Sequence, residues 1–154
     1  MQWSKLKSRV ENFICPELRG RIDFHLTSYR QSHDGADKVW IVVDGEKVFS
    51  FKYYAFEAAE REAYNGLKMN QAQAKERLWK NEIHSPKNFG DAVREYLSLS
   101  VKEALQSPND IIKAFAVIDK RVGKRTLERL EIPDSAHTLV KIFYRLRCES
   151  LKEK

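Results

Sequence analysis

Along the first fifteen residues, Trp3, Leu6, Val10, Phe13 and Ile14 recur at helical spacing while Lys5, Lys7, Arg9 and Glu11 point away. That spacing predicts an amphipathic helix over about 4–14, capped by Ser4, with Trp3 packing back onto its first turns. Pro16 then stops it, because proline removes a donor and restricts the residue before it. After Gly20 the period changes to two: Ile22, Phe24 and Leu26 alternate with Arg21, Asp23 and His25, which reads as a strand with one buried and one polar face. Residues 31–37 read as a loop. Val39 to Val43 is the strongest strand signal, and Asp44-Gly45 follows at once, a pair suited to a two-residue hairpin in which both positions need positive φ. Glu46 to Lys52 is the return strand. A two-residue turn carried straight back sets Trp40 opposite Phe49 and Ile41 opposite Val48. Both faces of the hairpin are then largely apolar, so each must be covered or one must serve as a contact surface.

From Tyr54 onward the pattern is helical throughout. Residues 55–80 are rich in good helix formers, divided in the middle by Asn65-Gly66. Ser85-Pro86 marks a turn before a helix with Phe89, Val93, Tyr96 and Leu97 on one side. Ser100 to Glu103 is a capping-box pattern, and Ser107-Pro108-Asn109-Asp110 is a further helix start with proline at the first helical position. Ile111, Ile112, Phe115, Ala116, Ile118 and Val122 form the broadest apolar stripe, which predicts a central helix closed by Gly123 as a left-handed C-cap. A short helix through Leu127 and Leu130 precedes Pro133, and the last helix turns Leu139, Ile142, Phe143 and Leu146 inward. Strands grouped early and helices grouped late indicate an α+β fold: an N-terminal helix, a three-stranded antiparallel meander over about 20–52, and a helical C-terminal two-thirds packed on it. The chain reads as a single domain, residues 1–154, with a sheet part of about 1–53 and a helical part of about 54–154.

Composition narrows the function classes. The chain has 154 residues, 42% of them hydrophobic, enough for a core. No stretch is apolar enough for a membrane span, and the first residues lack the apolar region of a secretory signal. Two cysteines, Cys15 and Cys148, make no disulfide framework and suit a reducing cytoplasm. No phosphate loop, dinucleotide fingerprint, zinc spacing or nucleophile elbow is present, so neither cofactor nor metal is expected.

The formal charge of +6 is uneven: residues 1–30 carry +3, residues 31–109 carry −1 and residues 110–154 carry +4. Its densest stretch holds Lys120, Arg121, Lys124, Arg125 and Arg129, a candidate nucleic-acid patch to which Arg19 and Arg21 could add. The same cations also have a structural reading, as complements to the negative pole of a glycine-capped helix, with Asp119 tying one arginine down. A second constellation, His25, Tyr29 and His33, has the residue types for metal-independent acid–base cleavage of RNA. With Trp40 it could equally be a stacking surface for single-stranded RNA.

The strings Trp3-Ser4-Lys5-Leu6-Lys7, Arg21-Ile22-Asp23-Phe24-His25 and His33-Asp34, together with Asp119-Lys120-Arg121-Val122-Gly123-Lys124-Arg125, resemble a family of small bacterial proteins. The resemblance brings no established activity and transfers no catalytic residue. The expectation is therefore a non-enzymatic, cytoplasmic protein-interaction module, regulatory or immunity-like, with Trp40, Val42, Phe49 and Phe51 of the hairpin as its protein-contact candidates. RNA or DNA binding through the basic stretch is the alternative, and a metal-independent ribonuclease a further one.

Overall fold

The computed structural model describes residues 3–28 and 37–152. Its first helix, α1 (Trp3–Phe13), is followed by a 3-10 turn at Pro16–Leu18 and by strands β1 (Ile22–Ser28), β2 (Asp37–Val43) and β3 (Glu46–Lys52). Seven helices come next: α2 (Tyr53–Arg61), α3 (Gln71–Lys80), α4 (Pro86–Ser98), α5 (Val101–Leu105), α6 (Asp110–Val117), α7 (Lys124–Arg129) and α8 (Thr138–Lys152). The class is α+β, as the grouping of strands before helices implied. Two compact units are formed, one by Asp23–Phe89 and the other by Met1–Ile22 with Gly90–Lys154.

In the first unit the strands lie in the order β1-β2-β3, and β2 pairs antiparallel with β3. The connecting turn is Asp44-Gly45, with φ of 51° and 86°. Both residues sit in the left-handed region that a twist-matched hairpin turn requires. The straight register does not survive, however. Val43 faces Glu46 and Val42 faces Lys47, but Ile41 then faces Phe49 and Trp40 faces Ser50. Val48 is the extra residue of a β-bulge. Because side chains alternate with a period of two, one inserted residue moves everything after it to the opposite face. Phe49 and Phe51 thereby join Val39 and Ile41 on the inner face, while Ser50 and Lys52 turn outward. The inner face is closed by aromatic rings: Phe51 lies 5.1 Å from Phe49 and 5.1 Å from Phe89, and Phe89 also meets Phe24 at 6.2 Å. The hairpin is thus two-sided in composition at first sight and one-sided in fact.

The helical run from Tyr53 divides where Asn65-Gly66 predicted. Glu62–Gly66 is a π-helical turn, closed by the Leu67 amide on the Glu62 carbonyl at 2.9 Å. Asn70 then caps α3 in a reciprocal box with Gln73.

In the second unit α6 packs on α5 and α8, and six of its eight residues are buried. The capping box of Ser100 and Glu103 opens α5 as predicted. Three boundary expectations need correction. α1 already includes Trp3, so Ser4 lies in its first turn and does not cap it. Asn109, not Ser107, caps α6 by accepting from the amides of Ile111 and Ile112, which leaves Pro108 outside the helix. Finally, α6 ends at Val117, well before Gly123, which has φ −84° and instead precedes α7 as its N-cap. The early stop has a tertiary cause. The Ile118 carbonyl accepts from the Cys15 amide at 2.9 Å, and the Lys120 amide donates to the Phe13 carbonyl at 2.7 Å. Groups that would continue the helix are engaged by the exit of α1.

Candidate functional site

The outer face of the sheet presents Asp23 and His25 from β1, Trp40 and Val42 from β2, and Lys47, Ser50 and Lys52 from β3. His25 stacks flat on Trp40, with ring centroids 5.1 Å apart and planes 7° from parallel. The Lys47 ammonium lies 5.1 Å from the centroid of the same indole. Since β1 and β3 border β2 on opposite sides, the two flank Trp40 from both directions. The indole stands on edge, held by a stack and a cation–π contact. His25 Nε2 in turn lies 3.1 Å from the Asp23 carboxylate, which fixes the imidazole.

Beside this group, β3 runs into α2 with no intervening loop, and Lys52 occupies the N-cap position without a side-chain cap. The first two helical residues, Tyr53 and Tyr54, therefore emerge at the sheet margin. They are 44% and 52% exposed, and their rings meet edge to face at 5.6 Å. Trp40, Lys47, Ser50, Lys52, Tyr53 and Tyr54 surround a recess of about 350 Å³, whose lining includes two ammonium groups and no carboxylate. Of the four hairpin candidates, Trp40 and Val42 are on this open face and half-buried. Phe49 and Phe51 are on the other: Phe51 is 0% exposed, a core residue placed there by the bulge. Tyr53 and Tyr54 escaped the sequence reading because their importance comes from the loopless strand-to-helix junction.

Tyr29 and His33 lie outside the described residues, and His25 is engaged by Asp23 and Trp40. Lys120, Lys124, Arg125 and Arg129 are exposed, but Lys124 faces Glu128 at 4.0 Å. Arg121 is held most firmly: its guanidinium reaches Asp119 at 2.7 Å and lies 4.1 Å from the centroid of Phe13. Asp119 thus does tie an arginine down. Complementing the pole of a glycine-capped helix is not the role of this stretch, because Lys124 and Arg125 open α7 instead of closing α6. That role falls to Arg147, which is buried and donates to the carbonyls of Val117, Asp119 and Val122 at 3.3, 2.7 and 2.8 Å. It ties the last carbonyl of α6 to two carbonyls of the turn that follows. Arg19 is likewise turned onto backbone, donating to the carbonyls of Ile14 and Asn12.

Asp119 is 0% exposed and is the hub of a network in this second unit. It accepts from the Tyr96 hydroxyl at 2.5 Å as well as from Arg121. Burial, reinforced by the neighbouring carboxylate, drives the Tyr96 phenol far above its ordinary range. Burial also raises the Cys15 thiol, which makes it a poor nucleophile. Tyr96 and Arg147 had one sequence signal, a polar group on an otherwise apolar helical stripe.

Among the described residues no group of three or more His, Cys, Asp or Glu could hold a metal ion, and no helix is long and apolar enough to cross a membrane. The model of the SF0329 protein family matches residues 2–148, and the chain belongs to that family. No curated protein and no solved structure matches it.

Proposed function

We propose that this member of the SF0329 protein family is a non-enzymatic protein-interaction module whose contact surface is the open sheet face with the start of α2. The observation that carries this reading is Trp40, held on edge between His25 and Lys47 beside the exposed Tyr53 and Tyr54. Interface energy concentrates in Trp, Tyr and Arg anchors, and an anchor already fixed loses little entropy on binding. The two lysines lining the recess favour a partner segment that brings carboxylates to an apolar contact. Base stacking on Trp40 is disfavoured, since both sides of the indole are occupied and single-stranded nucleic acid needs an open ring face. The free thiols of Cys15 and Cys148 suit a cytoplasmic site of action.

A photo-crosslinking residue at Tyr54, compared with the same residue at Arg125, tests the reading in living cells. A discrete protein adduct is expected from position 54. Trp40→Ala should weaken its formation by about 30-fold, the effect of losing an anchor of about 2 kcal/mol. Adducts from position 125 alone, or adducts at 54 indifferent to Trp40→Ala, would refute it.

A further inference from the structure

Away from the sheet face, the same unit contains a cleft that binding through the sheet leaves unused. Phe56, Glu60 and Tyr64 recur every four residues along α2 and into the π-helical turn, so they share one side. Gln71, Lys75 and Trp79 do the same along α3, with Leu78 beside them at the i+3 position from Lys75. These two helix sides, together with Ile83, Lys87 and Asn88, line a cleft of about 390 Å³. The π-helical turn contributes Tyr64 to its lining. Inserting one residue widens the helix at Glu62–Gly66, and such turns recur at binding sites. Here Ala63 is turned fully into the core while Tyr64 stays 37% exposed at the cleft. Trp79 is held by His84, whose ring meets the indole edge to face at 4.3 Å. Leu78, buried, contributes an apolar wall.

Three aromatic side chains, Phe56, Tyr64 and Trp79, therefore border a space of small-molecule size. Its charges are the two ammonium groups of Lys75 and Lys87 against the single carboxylate of Glu60, a net positive rim over an aromatic interior. We infer that this cleft is a binding site for a small planar aromatic anion, with its ring between the aromatic side chains and its carboxylate or phosphate toward Lys75 and Lys87. Rings bury flat apolar area against such walls with favourable edge and face contacts. The partly solvated lysines add selectivity for the anion over a neutral analogue, about fivefold for the pair.

The test uses the full chain, 2-naphthoate as probe and 2-naphthalenemethanol as its neutral counterpart, followed by two-dimensional amide and indole NMR. The three tryptophans, at positions 3, 40 and 79, act as separate reporters. Saturable shifts of the Trp79 indole and of amides in residues 71–79 are expected with naphthoate, at an affinity about fivefold above that of the alcohol. The double variant Lys75→Gln/Lys87→Gln removes both charges while keeping unbranched polar side chains, and should bring the two probes within about twofold of each other, with the remaining spectrum unchanged. Absence of saturable shifts at Trp79, largest shifts at Trp40, equal affinity for the two probes in the unaltered chain, or an anion preference that survives the double variant would each overturn the assignment.

Discussion

The bulge at Val48 decides which aromatic residues form the core and which remain outside, and truncating Phe51 tests it. With the bulge, Phe51 faces Val39, is fully enclosed and has ring neighbours in Phe49, Phe89 and His84 at 5.1, 5.1 and 6.0 Å. Phe51→Ala removes a ring from a site packed on every side, which costs about 3–5 kcal/mol, from lost transfer energy plus the cavity left behind. In the straight register Phe51 would stand on Trp40's side of the sheet, and its loss would be near-neutral. Trp40→Ala supplies the contrast: the indole is half-buried, and its contacts with His25 and Lys47 amount to about 1–2 kcal/mol. Urea unfolding followed by far-ultraviolet circular dichroism measures both. A denaturant slope of about 1–3 kcal/mol per molar puts the Phe51→Ala midpoint at least about 1 M below that of the unaltered chain. A Phe51→Ala loss under about 1 kcal/mol, or one no larger than that of Trp40→Ala, would refute the bulged register and with it the composition of the open face.

Three further outcomes follow from named contacts. Asp119→Asn weakens a buried ion pair, but Arg121 can rehydrate; thermal or urea unfolding should show a loss of about 2 kcal/mol, and no change would remove Asp119 as the hub. The Tyr96 phenol titrates above its unfolded value of 10.0, so the folded state retains a proton that the unfolded state releases. Stability from this source is complete below pH 10 and falls as pH rises beyond it; Tyr96→Phe should flatten that alkaline decline, and an unaltered slope would contradict the assignment. Gly45 has φ 86° with open space around its Cβ position, so Gly45→Ala should cost about 1 kcal/mol in urea unfolding from backbone strain alone, and an unchanged midpoint would contradict the left-handed turn.

Much of the fold is legible because local chemistry writes it. Asp44-Gly45 specifies its turn, Ser100 and Glu103 specify a cap, and the apolar stripe from Ile111 marks the most buried helix. The bulge was legible in principle. Counting back from the turn puts Val48 inward, whereas counting back from Phe51 puts Phe49 inward, and both hold only if one residue is inserted between them. The end of α6 was not legible, because Gly123 is a plausible stop and the groups that halt the helix earlier belong to the distant exit of α1. The open face was half legible. Trp40 stands out in sequence, but the partners that fix it come from separate strands, and Tyr53 and Tyr54 matter only because the sheet ends beside them. The basic stretch shows the reverse. It is conspicuous in sequence, yet Arg121 is spent on Asp119 and Phe13.

Hydrogen exchange of the chain, free and bound to the protein recovered by crosslinking at position 54, tests the central claim most directly. Slowed exchange confined to residues 39–55, spanning β2, β3 and the start of α2, is the expected result. Slowed exchange at residues 118–130, with the sheet unchanged, would contradict it.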